Sequence, residues 1–132
     1  MAAMQSELVV ITNAKRLTDY VFLITQKSPK HFRQTLTNRM QNYALDIIED
    51  LYAANDVYIT KADAQACARR LRLQNHAITC LRLLSYLGEL GRNVQCLLPK
   101  QFEEMSRLIT ECHNTLVGWM ASDKKRLAQM KG

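Results

Sequence analysis

Apolar residues recur every three to four positions along most of this chain, the period of helices that bury one face. Leu17, Tyr20, Val21 and Ile24 predict a first helix over about 13–27, with a start possible nearer residue 6. Phe32, Leu36, Met40, Tyr43, Ile47, Leu51 and Ala54 predict a second over about 30–56, with Asn38, Asn42, Asp46 and Glu49 on its other side. A third, roughly 30 residues long, carries the row Leu73, Ala77, Cys80, Leu84 and Leu87, with Ile78 and Leu81 beside it. Its polar side holds Arg72, Asn75, Thr79, Arg82 and Tyr86, while Arg70 falls nearer the apolar side. A fourth starts at Pro99, with a seam of Phe102, Met105, Ile109, Cys112, Leu116 and Met120 and with Trp119 beside it. After Ser122 it frays or continues into a basic tail.

The punctuation between these stripes agrees with four helices. Ser28 suits an N-cap, and Pro29 suits the first helical position, where a missing N–H costs nothing. Asn55 and Asp56 tolerate turn conformations and end the second helix. Thr60-Lys61-Ala62-Asp63 has capping-box spacing, with Asp in place of Glu. Gly88 and Gly91 weaken the end of the third helix, and Gly91 is a natural stop. Gly118 costs about 1 kcal/mol of helix propensity, which a close helix approach there would explain. The expected fold is all-α: an antiparallel up-down-up-down four-helix bundle. Residues 1–132 read as one domain with a short N-terminal extension and a basic C-terminal tail.

Composition narrows the picture. Only 4 Gly and 2 Pro in 132 residues argue against an all-β fold. No apolar run approaches the roughly 18 residues of a membrane span, and Leu8-Val9-Val10-Ile11 is too short for a signal-peptide core. The expected location is cytoplasmic. There the 4 cysteines, none in a C-x-x-C pair, read as buried free thiols. A zinc site using Cys112, His113 or His76 is the alternative, although Cys112 and His113 point about 100° apart on a helix.

The net charge of +6 is uneven. Residues 59–93 carry Lys61, Arg69, Arg70, Arg72, Arg82 and Arg92 against Asp63 and Glu89, whereas residues 29–58 are slightly acidic. Lys124-Lys125-Arg126 and Lys131 add a second basic segment. This asymmetry predicts a polyanionic partner. Arginine suits phosphate through its bidentate fork, and Tyr86 among the arginines suits stacking on an unpaired base. Ordinary solvated charge is the alternative for Arg69, Arg72 and Arg82.

Catalytic signatures are scarce. The chain contains no Glu-x-x-His, no phosphate-binding glycine loop and no G-x-S-x-G. Its three histidines sit on different helices with no obvious carboxylate partners. The expectation is a protein that is not an enzyme, with no catalytic residues, no metal and no cofactor. A small chorismate-mutase-like helical enzyme holding an anionic substrate with arginines is a lesser alternative. It rests on Arg33, placed near the apolar side of the second helix.

Several landmarks recur in a recognisable order between about Leu17 and Ser122. They are Pro29-Lys30-His31-Phe32-Arg33, Thr35-Leu36-Thr37-Asn38-Arg39-Met40-Gln41-Asn42, Ala54-Asn55, Leu98-Pro99-Lys100-Gln101-Phe102-Glu103 and Gly118-Trp119-Met120-Ala121-Ser122. Together they resemble a family of small bacterial four-helix-bundle proteins that includes the accessory variability determinant of diversity-generating retroelements. A sister branch is encoded within ribosomal RNA intervening sequences. The basic third helix and Lys124-Lys125-Arg126 favour the retroelement branch. The resemblance implies a homopentamer with a basic surface. It also implies association with a reverse transcriptase and its template RNA or DNA, in support of mutagenic retrohoming. Arg69, Arg72 and Arg82 are the primary candidates for nucleic-acid or polymerase binding, with Arg92, Lys30 and Arg33 secondary. Arg70 is expected either to pair within the bundle or to meet a partner subunit, and Trp119 either to cap the bundle core or to lie at a subunit interface.

Overall fold

Four long helices carry the computed structural model, which describes residues 2–130, with side chains from residue 9 onward. They are α1 (Ala2–Thr25), α2 (Asn38–Asn55), α3 (Ala64–Asn93) and α4 (Pro99–Gln129). No strand occurs among the described residues. None of the described helices is long and apolar enough to cross a membrane.

Helix α1 begins before the predicted 13 and ends at Thr25, two residues short of the prediction. Hydroxyls near its end turn back onto it: Thr25 Oγ1 donates to the Val21 carbonyl at 2.7 Å and Ser28 Oγ to that of Ile24 at 3.4 Å. Ser28 therefore closes α1 and does not cap the next helix. Pro29 is extended, at φ −56° and ψ 139°, and leads into a 3-10 turn over Lys30–Phe32 and a π-turn over Arg33–Thr37. The predicted second helix is thus α-helical only from Asn38. Its first part trades regular hydrogen bonding for a change of direction, as short 3-10 and π segments do.

The cap of α3 also differs from prediction. Asp63 is itself the N-cap, and its Oδ1 accepts from the Ala66 N–H at 3.0 Å. Thr60 Oγ1 instead accepts from the Ala62 N–H at 3.3 Å, within the preceding turn. At the other end, α3 runs past Gly91 to Asn93, and the left-handed backbone position falls on Gln95, at φ 65°. Gly91 serves packing: a Cβ there would sit 3.2 Å from Leu97 and 3.3 Å from Met40. Gly118 has no neighbour within 4 Å of such a Cβ, so the close approach expected there is absent.

The stripes converge as their periods require. Val10, Leu17 and Val21 of α1 are fully buried, as are Met40, Ile47 and Leu51 of α2, Leu81 and Leu84 of α3, and Met105, Leu116 and Trp119 of α4. Each such side chain contributes about 1.5–3 kcal/mol by leaving water. Helix α1 packs against α2 and α4, and α3 packs against the same two. Specific contacts set the register. Thr18 donates to the Ala44 carbonyl at 3.4 Å, and Gln41 Nε2 donates to Thr25 Oγ1 at 2.9 Å. Asn13 Nδ2 donates to Thr115 Oγ1 at 3.3 Å. Helix α4 continues through Lys124-Lys125-Arg126 to Gln129, so this basic segment is helical, while Lys131 lies outside the described residues.

Candidate nucleic-acid interface

Helix α3 has three different sides. Toward α2 it presents His76 and Cys80, and toward α4 it presents Leu71, Gln74 and Ile78. Its outward side carries Arg72, Asn75, Thr79, Arg82 and Tyr86, all exposed, and Arg69, near the start of the helix, is exposed on the side of His76 and Cys80. At a rise of about 1.5 Å and a turn of about 100° per residue, Arg69 and Arg82 stand roughly 20 Å apart along α3 and about 140° apart around it.

Local neutralisation sorts the arginines. Arg107 is exposed but lies between Glu104 and Glu111, with Nη1 donating to Glu111 at 2.7 Å. Its hydrogen bond holds the Glu104 carboxyl below the usual carboxylate range. Arg70 and Arg126 both bind Asp123. Arg92 is exposed and stacks over the Phe102 ring, 4.5 Å from its centre. Among the described residues, no acid lies within ion-pair distance of Arg69, Arg72 or Arg82. Arginines held in no ion pair keep more of their field for a partner.

Not every predicted binding residue joins these three. Lys30 and Arg33 line a cleft of about 390 Å³ with Thr25, Ser28, Asn38 and Gln41. Arg33 is exposed there, not turned toward the apolar side. This cleft lies at the start of α2, near the end of α3, where Gly91 approaches Met40. Arg92 shares that end. Arg69 lies near the opposite end, next to Arg70, which donates to the Val57 carbonyl beyond the end of α2 at 2.8 Å. The six candidates therefore form two groups, about 35 Å apart along α3 at the extremes.

Of the two places the sequence left open for Arg70 and Trp119, the bundle interior and a subunit interface, both residues take the interior. Arg70 is 3% exposed and Trp119 is 0% exposed, so neither side chain can meet a second copy. The Arg70 guanidinium grips Asp123 with both prongs, Nε to Oδ2 at 2.8 Å and Nη2 to Oδ1 at 2.9 Å, and lies 4.9 Å from the Trp119 ring centre. Gln74 Nε2 adds a third donor to Asp123 at 2.9 Å, and Arg126 a fourth at 2.8 Å. Burial pulls the Asp123 carboxyl upward, but the hydrogen bonds from Arg70, Arg126 and Gln74 outweigh it and hold the carboxyl below its ordinary value. Sequence reasoning missed Asp123 and Gln74. A signal for Asp123 existed, since it follows Trp119 by four positions and continues the α4 seam.

Above this network lies an apolar groove between α3 and α4, with a volume of about 660 Å³. Leu71 and Val117 edge it and are 48% and 44% exposed. Neither was predicted as a site residue. Apolar side chains gathered around one groove are a common form of protein-binding surface.

On the α2 side, Asp50, His76 and Cys80 come together. His76 therefore has the carboxylate partner its sequence surroundings did not reveal. The residue types match a cysteine nucleophile with its base, but their chemistry opposes that use. Cys80 is buried, and burial together with the charges of Asp50 and Asp46 pushes its thiol up to about 11. A reactive cysteine needs an electropositive site that lowers this value. All four cysteines are free, and burial pushes Cys112 up to about 12.

No protein-family model matches this chain, and no curated protein matches it.

Proposed function

We propose that this protein is a non-enzymatic accessory subunit that binds polyanionic nucleic acid along α3. The observation carrying this reading is that the exposed Arg69, Arg72 and Arg82 of α3 have no ion-pair partner among the described residues, on a chain whose Arg70, Arg107 and Arg126 are all neutralised. Tyr86, 58% exposed on the same side as Arg72 and Arg82, adds a stacking platform for an unpaired base. Phosphate contacts of this kind give affinity with little sequence information.

The resemblance of the sequence landmarks to the retroelement accessory family supplies the partners: a reverse transcriptase and its template RNA, in the cytoplasm. The α3–α4 groove with Leu71 and Val117 supports a protein partner or a second copy, and a homopentamer is the assembly the resemblance implies. Repetition of a modest basic patch around such a ring raises avidity through effective concentration. For the fold, the contacts of Thr18 with Ala44, Gln41 with Thr25 and Arg70 with Asp123 support an antiparallel up-down-up-down bundle.

The test is RNA binding by fluorescence anisotropy across a salt series, using the template RNA and an unrelated RNA of equal length. The triple variant R69A/R72A/R82A is expected to bind both more weakly. Its log–log salt slope should flatten by about 2–3, since each lost phosphate contact removes about 0.7–0.9. R107A, which removes an already neutralised charge, should bind like the parent. A folded triple variant with unchanged affinity and slope would refute the reading.

A further inference from the structure

The cluster between α2 and α3 has a chemistry of its own. His76 and Cys80 stand one turn apart on α3, and Asp50 reaches them from α2. His76 Nδ1 lies 2.5 Å from Asp50 Oδ2 and 3.8 Å from Cys80 Sγ. One donor atom from each residue falls within 4.8 Å of the other two. Asp46, one turn before Asp50 on α2, adds negative charge that acts on both Asp50 and Cys80.

These distances can be compared with a tetrahedral ion. Bonds of about 2.0–2.1 Å to nitrogen and oxygen and 2.3 Å to sulfur put neighbouring donor atoms about 3.3–3.6 Å apart. The sulfur–nitrogen separation is already close to that. The Asp50–His76 pair has to open by about 0.8 Å, which replaces a hydrogen bond with two metal bonds. Access is one-sided. The His76 side chain is 59% exposed, that of Asp50 is 13% exposed, and Cys80 closes the floor at 1%.

We propose that Asp50, His76 and Cys80 bind one borderline-soft divalent transition-metal ion, zinc by preference, with solvent completing the coordination. Carboxylate, imidazole and thiolate together select zinc over magnesium or calcium, which take oxygen donors alone. On binding, the Cys80 thiol loses its proton to solvent, the neutral His76 imidazole carries its one proton on Nε2 so that Nδ1 and the Asp50 carboxylate are free to ligate, and no bond to carbon changes. The ion then ties α2 to α3 through three side chains. The sequence expectation of no metal rested on missing motifs. It overlooked that His76 and Cys80, spaced i and i+4, share one face.

The test is titration of reduced, chelator-treated protein with cobalt(II), followed by displacement with zinc(II). One equivalent of cobalt should give a sulfur-to-metal charge-transfer band, which zinc abolishes. Cys80→Ser should lose the band, whereas Cys67→Ser should keep it. His76→Ala and Asp50→Asn should each bind at least about tenfold more weakly, since even outer-shell partners of a metal site cost about 10–100-fold. Zinc should raise the melting temperature of the parent but not of His76→Ala, whose exposed side chain can be removed without disturbing the core. The inference is overturned if the parent gives no thiolate band, if the band survives Cys80→Ser, or if His76→Ala binds like the parent.

Discussion

Replacing Asp123 with alanine leaves the Arg70 guanidinium charged and buried without its carboxylate. The two side chains are 4% and 9% exposed, so the pair is largely withdrawn from water. The Val57 carbonyl and the Trp119 ring stay beside Arg70 as neutral neighbours. Gln74 also loses its acceptor. Breaking a buried pair in this way costs about 3–5 kcal/mol. In a domain of this size, each kcal/mol lowers Tm by about 3–5 °C, so Asp123→Ala should melt roughly 10–20 °C below the parent. Removing both charges is a different perturbation. An R70M/D123L variant exchanges the pair for apolar packing, typically neutral or stabilising by about 1–4 kcal/mol, but still strands the buried Gln74 amide at about 1–3 kcal/mol, so it should lie near the parent and well above the single variant. Urea unfolding followed by circular dichroism measures both through the midpoint at constant m. A single variant within about 1 kcal/mol of the parent, or a double variant as damaged as the single, would refute the reasoning.

The same network sets a pH dependence. The Asp123 carboxyl is depressed below its ordinary 3.8 in the folded state, so its contribution is complete above about pH 3.8 and disappears as pH falls through the folded value. Acid unfolding of the parent should therefore be steeper below that pH than that of R70M/D123L. Gly118→Ala should stabilise by about 0.5–1 kcal/mol in thermal melts, because its Cβ meets nothing within 4 Å. Gly88→Ala should not share this gain, since its Cβ would fall 2.5 Å from the buried Met105 Cε. Light scattering at micromolar concentration should give a species well above 15.2 kDa, and Val117→Asp in the α3–α4 groove should shift it toward the monomer.

The helices were legible in the sequence because each buries one stripe, and Met40, Ile47, Leu51, Leu84, Met105 and Leu116 all fall on the face their period assigns. The polar rows were equally legible: Arg72, Arg82 and Tyr86 stay outside because nothing in their register draws them in. Helix starts were harder to place. Ser28 and Thr60 have the chemistry of caps, but hydroxyls serve turns and preceding carbonyls equally well, and tertiary packing decided between these uses. Pairings across helices left no local trace. Arg70 finds Asp123 from 53 positions away, and His76 finds Asp50 from 26. No periodicity encodes which polar residue on one helix will face which on another.

The α1–α4 seam has a consequence for how the chain is made. The other three seams join helices that follow one another in sequence, but this one joins the first helix to the last. Asn13 and Thr115 are 102 residues apart, against 26 for Thr18 and Ala44. Closing the longer loop costs about 1.2 kcal/mol more in chain entropy. During synthesis at about 5–20 residues per second, α1 is on display for about 5–20 s before Thr115 exists. Through that interval Val10, Leu17 and Val21 have α2 but not α4 to cover them. Substitutions in α4 therefore act twice, once on the finished fold and once on the solubility of a nascent chain whose first helix is still half dressed.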